Sequence, residues 1–465
     1  MDKFNLVRGS SMPVKTIRSG SSVMVLFLMI ISVTLSCGDS GTGPQQGSGD
    51  AYYVSPDGDD DNPGTFDSPW ETIGMAARTI TAGDTVYVRD GTYSERVVPE
   101  NSGTSPEAGV VYMAYSGESP VIDGTGISIP GDMRGLVEIS GLSHIVFDGF
   151  TVMNAGTADN HCGILVYGSS SVTVRHCRTF NTVSSGIGVW DCSTVTLDDN
   201  EVELACNDGE QECITVAGTE DFTVSNNLVH HSGPGSIGGE GIDIKDGSSD
   251  GTVFGNVVHD INRIGIYIDA WDKQTGPIDV YGNMVYNTAD DGFAIASEAG
   301  GLLMEIDIYN NIAWGNASSG LSVASWGEPV PHHPISNVLI INNTFYGNGS
   351  QGWGVGISVE NPDAEEITIR NNILSQNLYA QILVEEAGID LVVDNNLFFG
   401  TGTPFGSSYI TENPDLLDPS NGDMHLQSSS PAIDTGSSTN APSDDFEGNS
   451  RPQGAGYDMG AFEYI

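Results

Sequence analysis

Lysine is scarce in this sequence, and its placement is the first sign of chemistry. Two of the four lysines fall at positions 3 and 15; the others, Lys245 and Lys273, lie close together with Arg263 between them. Acidic and aromatic residues crowd the same stretch: Glu240, Asp243, Asp246, Tyr267, Asp269, Trp271 and Asp272. Asp290, Asp291 and Glu298 follow, then Trp326 and Glu328. Carboxylates beside a cation can exchange protons, and Trp and Tyr faces stack on sugar rings, so this set suits a carbohydrate groove. In that reading Lys245 is the candidate base, with Asp243 and Asp269 beside it. Arg263 and Lys273 meet substrate carboxylates, and Tyr267, Trp271, Glu298 and Trp326 line the polysaccharide. Asp290, Asp291 and Glu240 are the ligands expected for a Ca²⁺ ion. The plain alternative is a ladder of surface salt bridges in which Lys245 neutralises Asp243 and Asp269.

Residues this far apart need a repeating frame, and the sequence has one. Alternating apolar residues, a polar step, an Asn and a further apolar pair recur as TVTLDDNEV, FTVSNNLV, TVFGNVV, IDVYGNMV, IDIYNNIA, VLIINNTF, ITIRNNIL and LVVDNNLF. Asn200, Asn227, Asn256, Asn283, Asn311, Asn343, Asn372 and Asn396 fall in register, with successive gaps of 27, 29, 27, 28, 32, 29 and 24 residues. Gly149 and Cys177 read as occupants of the same slot in earlier repeats. A βαβ unit needs about 30 residues or more, and no 3.6-residue apolar stripe runs between the Asn sites, so each repeat is one coil of short strands. The expected fold is an all-β, right-handed parallel β-helix of about ten coils. Stacked asparagines would hydrogen-bond from coil to coil, a structural role without chemistry. Upstream of each Asn runs a second register, including GIDIKDG and GIYIDAWD. Strand alternation puts Ile242 and Ile244 inside, with Asp243 and Lys245 outside. Stacking coils about 4.8 Å apart then sets Asp243 beside Tyr267 and Lys245 beside Asp269.

Composition agrees with this frame. Sixty glycines and 38% hydrophobic residues among 465 suit short strands joined by many turns. Lys15 and Arg18 followed by the apolar run 23–35 read as an export signal, and Ser36-Cys37 after it as a lipobox in which Cys37 is lipidated. Residues 1–37 are therefore read as signal and 38–50 as a flexible linker. An N-terminal cap with the first strands spans 51–135, the coils 136–400 and a closing segment 401–465. Without the signal, 11 basic residues face 61 acidic ones, a formal net charge of −50. That sign excludes nucleic acid as a partner. The expected protein is exported and monomeric, either extracellular or held at the cell surface or outer membrane, touching the membrane only through a lipid anchor. Cys162, Cys177, Cys192, Cys206 and Cys213 lack zinc spacing; disulfides and buried core thiols are both open. His230-His231 reads as a structural turn, Pro331-His332-His333-Pro334 as a protruding loop, and 207–212 as a solvated acidic loop.

The ends carry a resemblance. Residues 51–98, a strand, a Gly/Asp loop, a short helix near Ile73–Ile80 and a strand pair, resemble the opening of secreted pectate-lyase-like β-helix proteins, including polysaccharide lyase family nine. The tail, SPAIDTGS at 430–437 with DFEGNSRPQGAGYDMGAFEY after it, looks like a bacterial β-helix closing segment. The resemblance implies a uronate lyase with a lysine base and an Asp cluster for Ca²⁺ that includes a D-D-G-x-D run. Here Asp290-Asp291-Gly292-Phe293-Ala294 lacks the last carboxylate, and Lys245 takes the second outward slot where the family lysine takes the first. An adjacent Asp269 would also raise the lysine pKa. β-Elimination is the first expectation. A glycoside hydrolase using Asp243, Asp269 and Glu298, and a non-catalytic glycan binder, are the alternatives.

Overall fold

The computed structural model describes residues 49–234, 238–350, 352–385 and 389–465. The expected signal 1–37, its Cys37 and positions 38–48 of the expected linker lie outside them. Among the described residues no helix is long and apolar enough to cross a membrane.

Each full coil gives one strand to each of three parallel sheets. Sheet 1 has thirteen strands, from Ala51–Val54 to Leu391–Asp394. Sheet 2 has twelve, from Thr92–Tyr93 to Leu397–Phe399, and sheet 3 has ten, from Arg134–Ser140 to Ala380–Val384. The chain passes from sheet 3 to sheet 1 to sheet 2, so Ile242–Lys245, Ser249–Phe254 and Val257–His259 form one coil. The result is a right-handed parallel β-helix of about eleven turns. Strand alternation builds its core. Ile242 and Ile244, Val253 and Val258 point inward from the three sheets, and all four are fully buried.

The corner between sheets 1 and 2 explains the Asn repeat. Asn256 Nδ2 donates to Val224 O and to Asn283 Oδ1, both at 2.9 Å, and its own Oδ1 accepts from the Asn227 N–H at 2.9 Å. The same bonds run from Cys177, whose N–H donates to Asn200 Oδ1, to Asn396. The residue before each ladder Asn turns the corner in the left-handed region: Asp199, Asn226, Gly255, Gly282, Asn310, Asn342, Asn371 and Asn395. Only Gly, Asn and Asp tolerate that conformation readily, hence the repeated DN, NN and GN pairs. Gly149 belongs to this bend position, with φ 85°, and not to the ladder slot. Asp148 pairs with Arg175, so Phe150 is the residue level with Cys177.

The capping helix spans Ile73–Thr79; Thr72 Oγ1 accepts from the Met75 N–H, and Ile73, Ala76 and Ile80 join the core of the first coils. The closing segment does less sealing than expected. Ser407 and Ile410 pair with the last strands, but the rest runs back along the flank, packing Leu416, Met424, Leu426 and Phe462 over Ile312, Ile373 and Leu397. A fully buried Arg451–Glu463 ion pair and hydrogen bonds to Asn310 and Asn342 pin it there. The five cysteines among the described residues are free and buried, so of the two readings open for them the core-thiol one holds.

Candidate functional site: the outer face of sheet 3

The strands Ile214–Ala217, Ile242–Lys245, Ile266–Ala270 and Phe293–Ser297 are neighbours in sheet 3. Their register sets Thr215, Asp243, Tyr267 and Ala294 in one outer column, and Ala217 with Lys245, then Asp269 with Ala296, in the next. Asp243 beside Tyr267 is the predicted pairing. These side chains face away from the core yet are covered: Asp243 is 2% exposed and Asp269 5%. Small neighbours make room for them. Ala294, Ala296 and Ala324 pack with Ile264 and Tyr267 under a partly buried Trp326.

Lys245 Nζ lies 2.7 Å from Glu212 Oε1 and 3.4 Å from Asp243 Oδ2. Thr215 Oγ1 donates to the other Glu212 oxygen at 2.9 Å. Glu212 is 7% exposed, so the end of the 207–212 stretch is a buried arm of the site and not a solvated loop. Burial alone would lower the Lys245 pKa; Glu212, Asp243 and Asp269 together outweigh it and hold the ammonium well above the lysine range. These ion pairs favour the ammonium form of Lys245 and work against its expected role as base. Asp243 and Asp269 behave in the opposite way. Burial pushes both carboxyls well above their ordinary value, Lys245 opposes this, and neighbouring carboxylates add to it. One oxygen of each, Asp243 Oδ1 and Asp269 Oδ1, is buried without a hydrogen-bond partner. Such atoms are costly unless something else meets them.

Around this centre, the Tyr267 hydroxyl donates to Glu298 Oε1. Arg263 Nε donates to Glu240 Oε1 at 2.8 Å, and its side chain stays about half exposed. Burial raises Glu240 to about 7, with Glu212 adding to the effect. Trp271 is 40% exposed, and Lys273 is exposed near Asp246, whose carboxyl it helps to hold down against burial. His333 does not protrude: its Nδ1 meets Ser297 O at 2.6 Å.

The residues expected to bind Ca²⁺ do not form one cage. Asp291 is buried and accepts from the Ser319 N–H at 2.6 Å, Asp290 feels Arg263, and Glu240 is paired with that same Arg263. Among the described residues, the only sets of three or more donors within metal-binding reach lie elsewhere, on sheet 2.

Two aromatic residues of the face went unnoticed in the sequence. Tyr167 and Trp190 pair across adjacent strands in the same column as Ala217 and Lys245. Tyr167 is 42% exposed, and Trp190 lies flat over Gly188, where a Cβ would fall 2.1 Å from its ring. The Gly-Val-Trp spacing was the available signal, since Gly two residues before Trp leaves the ring a bed.

Comparison with known proteins fits this architecture. Residues 52–207 match the family described as Pel9A-like, right handed beta helix region, and 162–333 match the right handed beta helix region family. A protein of Bacillus subtilis strain 168 described as uncharacterized, YwoF, is 30% identical over 387 residues, covering 71% of this chain and 76% of that protein. The chain belongs to the YwoF family. Pectate lyase PEL9 of Emericella nidulans is 49% identical over 74 residues only, 16% of this chain and 18% of that enzyme. Among solved structures, pectate lyase Pel9A superposes with a TM-score of 0.55 at 17% identity, over 90% of this chain and 97% of that one. XylC in complex with xylose gives 0.55 at 13%, over 89% and 98%. These likenesses establish the solenoid.

Proposed function

We propose that the chain is a carbohydrate-active enzyme that hydrolyses a glycosidic bond on the outer face of sheet 3. The observation that carries this reading is the buried pair of Asp243 and Asp269, each with one oxygen left unpartnered beside a fixed Lys245 cation. Asp243 has an ion pair at 3.4 Å that favours its carboxylate form. Asp269 has only the longer-range pull of Lys245 against burial, Glu298, Asp246 and Glu212, which favours its protonated form. Burial raises both carboxyls, and a neighbouring pair of which one has a cation within ion-pair reach suits general acid and base or nucleophile roles. In this assignment Asp269 protonates the leaving oxygen, while Asp243 activates water or attacks the anomeric carbon. Tyr167, Trp190, Trp271 and Trp326 supply stacking surfaces for a polysaccharide.

β-Elimination is the second reading, favoured by the Pel9A-like match at 52–207 and the local likeness to a pectate lyase. It requires Lys245 to lose a proton that three carboxylates hold in place, and a polyuronate would approach a protein of formal net charge −47. Export, either released or anchored through Cys37, forms part of the proposal, since an extracellular polymer has to be met outside the cell.

The test is a polysaccharide panel assayed with the wild type, Asp269→Asn and Lys245→Ala, with and without Ca²⁺. Hydrolysis yields new reducing ends without ultraviolet absorption, and Asp269→Asn loses them. A product absorbing through a new C=C bond, made by Asp269→Asn and not by Lys245→Ala, would replace the proposal with the lyase reading.

A further inference from the structure

Sheet 2 carries a second collection of chemistry-bearing side chains, distinct from the sheet 3 site. His230 and His259 pair across adjacent strands and stack with ring centroids 5.2 Å apart and planes 8° apart, and Tyr286 stacks on His259 at 4.8 Å. His231 follows His230 and Asp260 follows His259, both in the left-handed region, so both side chains turn onto one corner. His231 Nε2, His259 Nδ1 and an Asp260 oxygen all lie within 4.8 Å of one another.

One contact at this corner has no hydrogen between its partners. His230 Nδ1 meets His231 Nδ1 at 2.7 Å, and the outer nitrogens of both rings face carboxylates: His230 Nε2 faces Glu201 at 3.4 Å, and His231 Nε2 faces Asp260 Oδ2 at 3.8 Å. The first two are of hydrogen-bond length and take one hydrogen each. Two neutral imidazoles carry only two N–H groups. The two hydrogen bonds use both, so the His231–Asp260 contact sets a bare ring nitrogen against a carboxylate oxygen. At 3.8 Å the His231–Asp260 contact exceeds hydrogen-bond length. It matches two ligands of one ion, since arms of about 2.0–2.2 Å reach up to about 4 Å apart.

The adjacent set of Glu201, Glu203 and His230 has no such shortfall. Arg178 hydrogen-bonds both Glu201 and Glu203 and supplies its cation. That leaves His230 to receive the His231 hydrogen and to donate its own to Glu201, the second-shell arrangement that orients a metal-bound imidazole.

We propose that His231, His259 and Asp260 bind a divalent transition-metal ion of the Zn²⁺ or Ni²⁺ class, with water completing the shell. Two imidazoles and one carboxylate are a donor set for such ions and a poor one for Ca²⁺. His259 Nδ1 gives up its 2.7 Å bond to Asp260 for the metal, releasing its hydrogen to solvent while Nε2 takes one up, and Asn287 holds the second Asp260 oxygen. The ion would act as a staple. His231 and Asp260 open the two successive crossovers that deliver Glu240 and Arg263 to the sheet 3 site, and Asn262 already ties these crossovers through Ser232 and Gly233.

The test uses the intact, tag-free protein, soaked in Zn²⁺ or Ni²⁺, desalted, and analysed for retained metal and for thermal unfolding. The wild type is expected to keep about one ion per chain and to unfold several degrees higher with it, whereas Ca²⁺ is not retained. His231→Ala, at an exposed side chain whose loss leaves the packing intact, and Asp260→Asn lose the ion and the shift while keeping the wild-type circular dichroism. A wild type that retains no metal, or variants that retain as much as it does, would overturn the proposal.

Discussion

Asp243 and Asn256 belong to the same coil, and both are buried polar residues in a register that repeats up and down the stack. Their surroundings could hardly differ more. Asn256 stands between like residues, so both its amide atoms are satisfied by the coils above and below. Asp243 stands between Thr215 and Tyr267, with Lys245 on one oxygen and nothing on the other. A solenoid becomes rigid where a column repeats one residue type, and acquires chemistry where the column breaks its repeat. The broken column leaves buried groups whose requirements a ligand can meet, at a cost in stability of the kind active sites commonly carry.

The widest separation between the two regions should appear in activity. Asp269→Asn is expected to lower kcat on the responsive polysaccharide by about 10³-fold or more with an unchanged circular dichroism spectrum. Asn256→Ala should leave kcat within a few-fold, and an equal loss in both would erase the distinction.

Stability should invert the order. Asn256→Ala removes four hydrogen bonds and leaves buried partners in two coils, a destabilisation of about 3 kcal/mol in urea unfolding. Asp269→Asn, which relieves a buried carboxyl without a partner, should stabilise by about 1 kcal/mol at pH 8. Loss of stability in the second variant would mean that the acidic face is a structural network after all.

The sign of the pH dependence sharpens the contrast further. Burial holds Glu240 at about 7 and Asp291 at about 6, both above their values in the unfolded chain. Between these limits the native state binds more protons than the unfolded one, so stability is full in mild acid and falls as pH rises through the folded values. The melting temperature should therefore drop from pH 5 to pH 8, and Asp291→Asn should flatten that slope. The increment caused by Asn256→Ala, which involves no titrating group, should be the same at both pH values.

The smallest effect belongs to the exposed rim. Trp271→Ala should raise KM by about 3- to 10-fold with little change in kcat or melting temperature, as expected for a stacking surface outside the buried pair.

Several parts of this contrast were readable before any coordinates. The Asn period, the inward isoleucines of GIDIK and the pairing of Asp243 with Tyr267 follow from alternation and repeat length, because parallel coils in register carry sequence columns directly into space. A second ladder through Asn316, Asn348 and Asn377, closed by Gln381, was passed over, since it spans only the last coils. Gly149 was placed one residue off because the bend position and the ladder slot are adjacent and both favour small or polar residues. Glu212 could not be assigned to the site from its neighbours. It lies 33 residues before Lys245, in a crossover whose path no periodicity fixes.

Sequence by itself determined the solenoid, its two repeating registers and the coils in which charge collects, because each depends on local alternation repeated at a nearly constant interval. Only the tertiary structure decided the protonation of those charges. Whether Lys245 is a base or a fixed cation depends on Glu212 arriving from another crossover. Whether Asp269 carries a proton depends on how deeply neighbouring side chains bury it. Both are matters of distance and desolvation, which the order of residues along the chain does not specify.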